Sequence, residues 1–210
     1  MISVIIPIYN TSEELVEMTQ DCIDSLTPEL QDGDELLIID DASPVAHDFG
    51  VRTITLPKNS GVAVAWNTGV THAVNDIVLI SNNDIQATHW RAPMLEALEK
   101  YAVVFPLVYN ENTGRETRHL AGEFFMTRRA LIEKVGGFNE DFGSYFEDTD
   151  FFMRVMNVGG KLGVTAKAYV AHRSQATVKT SWSPERLEEN FRRNQALYEH
   201  VHGGMYPFLS

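Results

Sequence analysis

The sequence predicts a single α/β domain built around a largely parallel sheet with helices covering its faces. Two observations carry that expectation. Through the first half, short apolar runs alternate with stretches of helical periodicity, and strand–helix alternation of this kind implies parallel strands joined by crossover helices. The chain has 210 residues, 44% of them apolar, which suits one well-buried domain with no repeat, linker or low-complexity tract to divide it.

Taken in order, "SVIIPI" (3–8) reads as a buried strand. "TSEELVEMTQDCIDSL" (11–26) reads as a helix opened by a Thr11-x-x-Glu14 capping box and closed before Pro28. "ELLIID" (35–40), "VRTITL" (51–56) and "DIVLIS" (76–81) are strands, and "GVAVAWNTGVTHAV" (61–74) is a helix weakened by Gly69. The second half is less regular. "HWRAPMLEALEKYA" (89–102) is helical, "VVFPLV" and "AGEFFM" are strand candidates, and "RRALIEKVGG" is a short helix with a glycine stop. The helix in "FEDTDFFMRVMNVGG" ends at Gly159-Gly160, "AYVAH" (168–172) is a last strand, and a long helix over 183–202 takes Ser183 as N-cap and Pro184 at its first position.

Seventeen basic residues against 29 acidic ones give a net charge of −12. That opposes binding to nucleic acid or to an anionic membrane surface. An acidic protein that holds a phosphorylated ligand needs a local device, such as a metal ion or backbone N–H groups. One cysteine, Cys22, excludes an internal disulfide, fits a reducing compartment and reads as a buried thiol. "MISVIIPIYN" has no basic lead-in and reads as a first strand rather than a signal peptide. With no apolar run near the roughly 20 residues of a membrane span, the expected location is cytoplasmic.

Ligands of open α/β sheets bind beyond the carboxyl ends of the strands. Those ends carry Tyr9-Asn10, Asp40-Asp41, Lys58-Asn59 and Asn82-Asn83-Asp84. Each alone is an ordinary turn former; four along one edge point to a polar cleft. A dinucleotide site fails here, because the first strand–helix turn "PIYNTSEE" has no glycine to let a pyrophosphate approach the backbone. No GxxxxGK[ST] loop is present either. Asp84, directly after a buried strand, is placed to share a divalent cation with substrate oxygens.

Five stretches, "SVIIPIYN", "IIDDAS", "KNSGVAVAWNTGV", "ISNNDI" and "VGGFNEDFGSYFEDTDFFMRV", follow one another in the order and spacing of the family 2 glycosyltransferases. The chain resembles that family over roughly residues 2–175, most closely its rhamnosyltransferase-like branch. The resemblance implies the GT-A fold, a Rossmann-like α/β domain with a mixed, mostly parallel central sheet and helices on both faces. It divides the chain into a nucleotide-binding half (1–84), an acceptor and catalytic half (85–175) and a C-terminal helix (183–202). It also implies an inverting hexosyltransferase that uses a nucleotide-diphosphate sugar, UDP- or dTDP-linked, a saccharide or other hydroxyl acceptor, and Mn2+ or Mg2+. By matching position, Pro7, Tyr9 and Asp41 hold base and ribose, with Asp41 on the pyrimidine N3–H. Asn59, Gly61 and Asn83 contact the nucleotide sugar. Asp84 and His172 fall at the metal, and Asp148 at the general base. Asn82 stands where the metal motif often begins with aspartate, and Trp66 where many members carry arginine.

The stretch "SYFEDTDFFMRV" places Glu147, Asp148 and Asp150 among aromatic rings. With a helix starting near residue 148 and about 100° per residue, Asp148 shares a face with Phe151, Phe152 and Val155. Asp150 turns away and can pair with Arg154 at i,i+4, as a helix-end charge worth a few tenths of a kcal/mol. Glu147 sits at the helix entrance, where its charge suits the dipole. A carboxylate on an apolar face loses solvation and its pKa rises, as a base accepting a hydroxyl proton requires. Arg173 and Lys179 are surface cations that could neutralise a diphosphate, and Trp90 and Trp182 read as packing. The rival readings are a nucleotidyltransferase, which lacks its triphosphate loop here; a glycosidase, which leaves Asp41 and Asp84 unexplained; and a sugar-nucleotide-binding module without turnover.

Overall fold

Side-chain alternation along the strands decides which helix packs on which face. In the computed structural model, which describes residues 1–118, 120–173 and 183–204, strand β1 (Ile2–Ile8) sends Ile2, Val4, Ile6 and Ile8 to one face and Ile5 to the other. Strands β2 (Glu35–Asp40) and β4 (Ile77–Ser81) alternate in the same way. The first face is covered by α1 (Glu13–Leu26), through Val16, Cys22 and Ile23, and by α3 (Arg91–Leu98), through Met94 and Leu98. The second is covered by α2 (Val62–His72), α4 (Arg129–Lys134) and α5 (Glu147–Asn157), which bring Ala65, Trp66, Ile132, Phe151 and Phe152. Both faces of the central strands are therefore dry, the condition under which parallel strands persist.

Strand β3 (Arg52–Thr55) completes a parallel run in the order β3-β2-β1-β4. Beyond β4 the sheet becomes mixed. Strand β8 (Phe124–Arg128) enters antiparallel between β4 and β6 (Val103–Asn110). Then β9 (Leu162–His172) runs parallel to β6, with β5 (Ile85–Thr88) antiparallel at the edge. Strand β7 (Arg115–Thr117) pairs with β6 off this path. The α/β architecture, mixed and parallel through its first half, is the one the sequence implied.

Several local expectations shift. Ser12, not Thr11, caps α1: its hydroxyl accepts from the Leu15 N–H, 3.4 Å away. Helix α3 is shorter than the expected 89–102, and its entry is set from outside. The Glu29 carboxylate accepts from the backbone N–H groups of Trp90 and Arg91 at 3.0 and 2.9 Å, a cap supplied across 61 residues that no local pattern shows. Strand β9 begins well before the expected 168–172. Its pairing with β6 jumps register between Pro106 and Leu107, where proline has no N–H for the ladder. Trp90 is packing, as expected, fully buried against Phe124. Lys179 and Trp182 lie outside the described residues.

The last helix, α6 (Pro184–His202), has the expected Ser183 cap, with the hydroxyl accepting from the Arg186 N–H. Its Tyr198 is buried with Phe142, Phe146 and Met153 in a third, smaller cluster. Gly69, expected only to weaken α2, is required by packing: a Cβ there would sit 2.3 Å from Cγ2 of Ile5. Gly69→Ala should therefore destabilise by about 1–3 kcal/mol through overpacking, outweighing the roughly 1 kcal/mol gained in helix propensity. Urea denaturation of the variant checks the sign.

Candidate active site

The carboxyl ends of β1, β2 and β4 open on a cavity of about 460 Å³. It is lined by all nine residues picked out from the sequence: Pro7, Tyr9, Asp41, Asn59, Gly61, Asn83, Asp84, Asp148 and His172. Trp66, Gly122, Glu123, Gly143, Ser144, Tyr145 and Glu147 complete most of the remaining wall. Five carboxylates and one imidazole face this space, and no lysine or arginine lines it among the described residues.

On the β2 side, Asp41 is buried and accepts from the Ser60 N–H at 2.6 Å and the Gly61 N–H at 2.8 Å, one on each oxygen. Burial pushes its carboxyl pKa up, and the two N–H groups act against that rise. The carboxylate thus organises the turn into α2. Gly61 has φ +91, and a Cβ there would meet the Gly143 carbonyl at 2.7 Å. The Val62 N–H donates to that same carbonyl, so the turns at 58–61 and 143–146 touch. Asn83 is buried, its amide donating to the Thr19 hydroxyl at 2.9 Å, and that hydroxyl in turn reaches Asn10. Cys22, as expected, is a buried thiol, pushed up to about 12 by desolvation.

Antiparallel register explains how Asp84 meets His172. Ile85 pairs with His172, so the preceding Asp84 falls beside the imidazole, with Nε2 3.2 Å from Oδ1. Burial alone would lower the His172 pKa; the Asp84 carboxylate, aided by Glu123 and Glu111, leaves it raised. These two buried atoms have no hydrogen-bond partner of good geometry, and their chemistry suits a divalent cation. Among the described residues no three metal-ligating side chains come together, so the protein offers a partial ligand set that needs further oxygens. Arg173 is spread over two exposed ion pairs, with Asp21 and Glu111.

One strained turn leads into α5. Gly143, Tyr145 and Phe146 all have positive φ, at 66, 69 and 73°. For the two aromatic residues this costs on the order of 1–3 kcal/mol each and marks a position the surroundings must impose. Helix α6 imposes it. Buried Asn194 donates its amide to the carbonyls of Phe142, Ser144 and Tyr145, and Asn190 donates to Ser144 at 2.7 Å. Helix α5 therefore starts without a side-chain cap and with its acids aimed by the turn.

Asp148 faces the cavity. Its Oδ2 accepts from the Gly122 N–H at 2.8 Å, and Oδ1 accepts from the Thr149 N–H at 2.6 Å and from the Thr149 hydroxyl. Desolvation raises its pKa against these bonds. Gly122 has no room for a side chain: a Cβ would lie 2.8 Å from that of Asp148 and 2.9 Å from the Trp66 ring. Glu147 is the residue the sequence reading undervalued. It starts α5 as expected but is also a buried cavity residue, and Oε2 has no hydrogen-bond partner. Burial, then the neighbouring Asp148 charge, hold its pKa well above the usual range.

Asp150 also departs from expectation. The i,i+4 pair with Arg154 forms, at 2.6 Å, but it is no exposed helix-end charge: Asp150 is 1% exposed. Its second oxygen lies 2.8 Å from Nε2 of His202 on α6, while Arg154 donates onward to the carbonyls of Val135 and Gly137. Asp150 ties together α5, α6 and the 135–137 turn.

Comparison with known proteins agrees with this geometry. The family model described as "Glycosyl transferase family 2" matches residues 3–158; the chain belongs to that family. A curated relative, the glycosyltransferase GlyG of Streptococcus pneumoniae, is 27% identical over 150 residues, covering 64% of this chain and 48% of its own. The chain thus spans about half the length of that relative. Among solved structures, S. aureus TarS (residues 1–349) superposes with a TM-score of 0.65 at 17% identity, covering 96% of this chain and 73% of that one. A second TarS structure, in complex with UDP-GlcNAc, gives 0.66 at 19% identity, covering 94% and 66%. These likenesses establish the GT-A-like fold.

Two predictions follow from the buried acids. A carboxyl whose folded pKa is raised holds its proton where the unfolded chain has lost it, so stability falls as pH climbs from the unfolded pKa toward the folded one. Glu147→Gln should therefore flatten the decline in melting temperature as pH climbs above the ordinary glutamate range, with Asp148 keeping part of the slope; thermal melts across pH read it. Asp150→Asn should destabilise by on the order of 3 kcal/mol, since it leaves Arg154 and His202 facing a neutral partner in a buried site, which chemical denaturation measures.

Proposed function

We propose that this domain transfers a sugar, with inversion at the anomeric carbon, from a uridine or thymidine diphosphate donor to an acceptor hydroxyl. The observation that carries the reading is Asp148: a carboxylate of raised pKa, aimed into the cavity by the Gly122 and Thr149 N–H groups, in a chain of this family. The UDP and UDP-GlcNAc complexes of the TarS neighbours support a nucleotide-sugar donor. Asp41, Pro7, Tyr9, Asn59, Gly61 and Asn83 would hold the nucleotide end, in the cavity wall formed by the ends of β1, β2 and β4.

Asp148 accepts the proton of the acceptor hydroxyl as that oxygen bonds to the anomeric carbon, and the bond from that carbon to the donor phosphate oxygen breaks. The proton stays on Asp148 until solvent takes it, and the nucleoside diphosphate departs with the bonding pair. A wall of acids that has no lysine or arginine among the described residues would repel that diphosphate. Asp84 and His172 would hold manganese or magnesium, which would supply positive charge to the departing diphosphate. Asp148 is the one cavity carboxylate assigned to the reacting hydroxyl, with no nucleophile assigned on the opposite face, and single displacement then gives inversion. None of the helices among the described residues is long and apolar enough to cross a membrane, and we propose a cytoplasmic location.

Single-turnover transfer from UDP-GlcNAc, with water or a simple sugar as acceptor, tests the assignment. Asp148→Asn should lower the rate by roughly 10²–10⁴ while UDP affinity stays near that of the parent chain. Since a base works only when deprotonated, the parent rate should fall as pH drops through a pKa above that of an ordinary aspartate. Calorimetry should show UDP binding weakened in Asp41→Ala, and its manganese dependence lost in Asp84→Ala. Unchanged affinity and metal response in both would remove the cavity assignment, and a retained anomeric configuration by NMR would remove the single displacement.

A further inference from the structure

We infer that Tyr145 and Phe191 form a stacking subsite for the pyranose ring of a saccharide acceptor, an inference that rests on the transfer reading above. Tyr145 lines the cavity three residues before Asp148. Its ring lies 5.8 Å from that of Phe191 on α6, which is 43% exposed although it also packs 5.2 Å from Phe146. Two aromatic rings in edge-to-face contact thus lead from the cavity lining to solvent.

Three features separate this surface from an incidental apolar patch. Tyr145 and Phe146 sit in left-handed backbone, a conformation that non-glycine residues adopt only under constraint. Helix α6 supplies that constraint, since Asn194 binds the Tyr145 carbonyl and Asn190 binds that of Ser144. The same helix then contributes the exposed ring. An acceptor whose hydroxyl reaches Asp148 must carry the rest of its sugar along the cavity wall, of which Tyr145 is part. The apolar C–H face of a pyranose fits the face of an aromatic ring, while its hydroxyls stay solvated or meet the polar cavity rim.

Saturation-transfer NMR on the full chain loaded with UDP and manganese tests the inference, with methyl β-glycosides of glucose, galactose and N-acetylglucosamine as probes. UDP binding is followed by calorimetry in the same samples. The parent chain should transfer saturation to at least one pyranoside. Phe191→Ala, which lies outside the cavity lining, should weaken that pyranoside about two- to tenfold with UDP affinity unchanged, and Phe191→Tyr should restore it. Bound UDP with no pyranoside signal, or a signal equal in Phe191→Ala, would overturn the subsite while leaving the transfer reading intact. Failure to bind UDP at all would overturn both.

Discussion

As the proposed base, Asp148 must be shielded enough from water to bind a proton usefully, yet held firmly enough to point at one place. The hydrogen bond from the Gly122 N–H meets the second need, and desolvation still leaves the carboxyl pKa raised against it and the two Thr149 donors. Much of the second half of the molecule is arranged around that contact. Strand β8 follows directly after Gly122 and Glu123 and is wedged between β4 and β6, so the donor is fixed to the centre of the sheet. Helix α5 is fixed from the other side by Phe151 and Phe152 against Phe125 and Phe105. A rigid sheet and a rigid helix meet at one N–H and one carboxylate.

The acids of α5 illustrate how position, not residue type, sets role. Glu147, Asp148 and Asp150 are close neighbours, yet one is buried with an unpartnered oxygen, one is oriented into the cavity and one is locked between Arg154 and His202. The Asp150 pair spends a buried charge on docking α6. That helix in turn holds the strained 143–146 turn through Asn194. The C-terminal helix is thereby coupled to the cavity without lining it. The cavity wall is acidic among the described residues, so the proposed diphosphate would need a shared cation or backbone N–H groups to hold it.

The central sheet was legible because each early strand is a short apolar run bounded by polar strand ends, and the order of those ends placed the cavity. The phase of α5 was legible too, since only one of its acids shares a face with Phe151, Phe152 and Val155. What escaped depends on partners far along the chain. The Glu29 carboxylate starting α3, His202 meeting Asp150, and the Gly122 N–H on Asp148 have no local signature. Burial of Glu147 was hidden for the same reason, because an acid at a helix start looks identical whether water or Tyr145 lies beside it. Strands β5 and β7 are too short for a periodicity to show.

The role of Gly122 is where the account is most exposed. It needs no unusual backbone, so Gly122→Ala changes only the space between Asp148 and Trp66. Measured as the single-turnover rate of UDP-GlcNAc consumption with manganese, alongside UDP affinity, the variant should lose on the order of 10²-fold in rate, as displacement of a reacting group by about 1 Å costs, with UDP affinity held. A variant that turns over at the parent rate would contradict the claim that this contact aims the base.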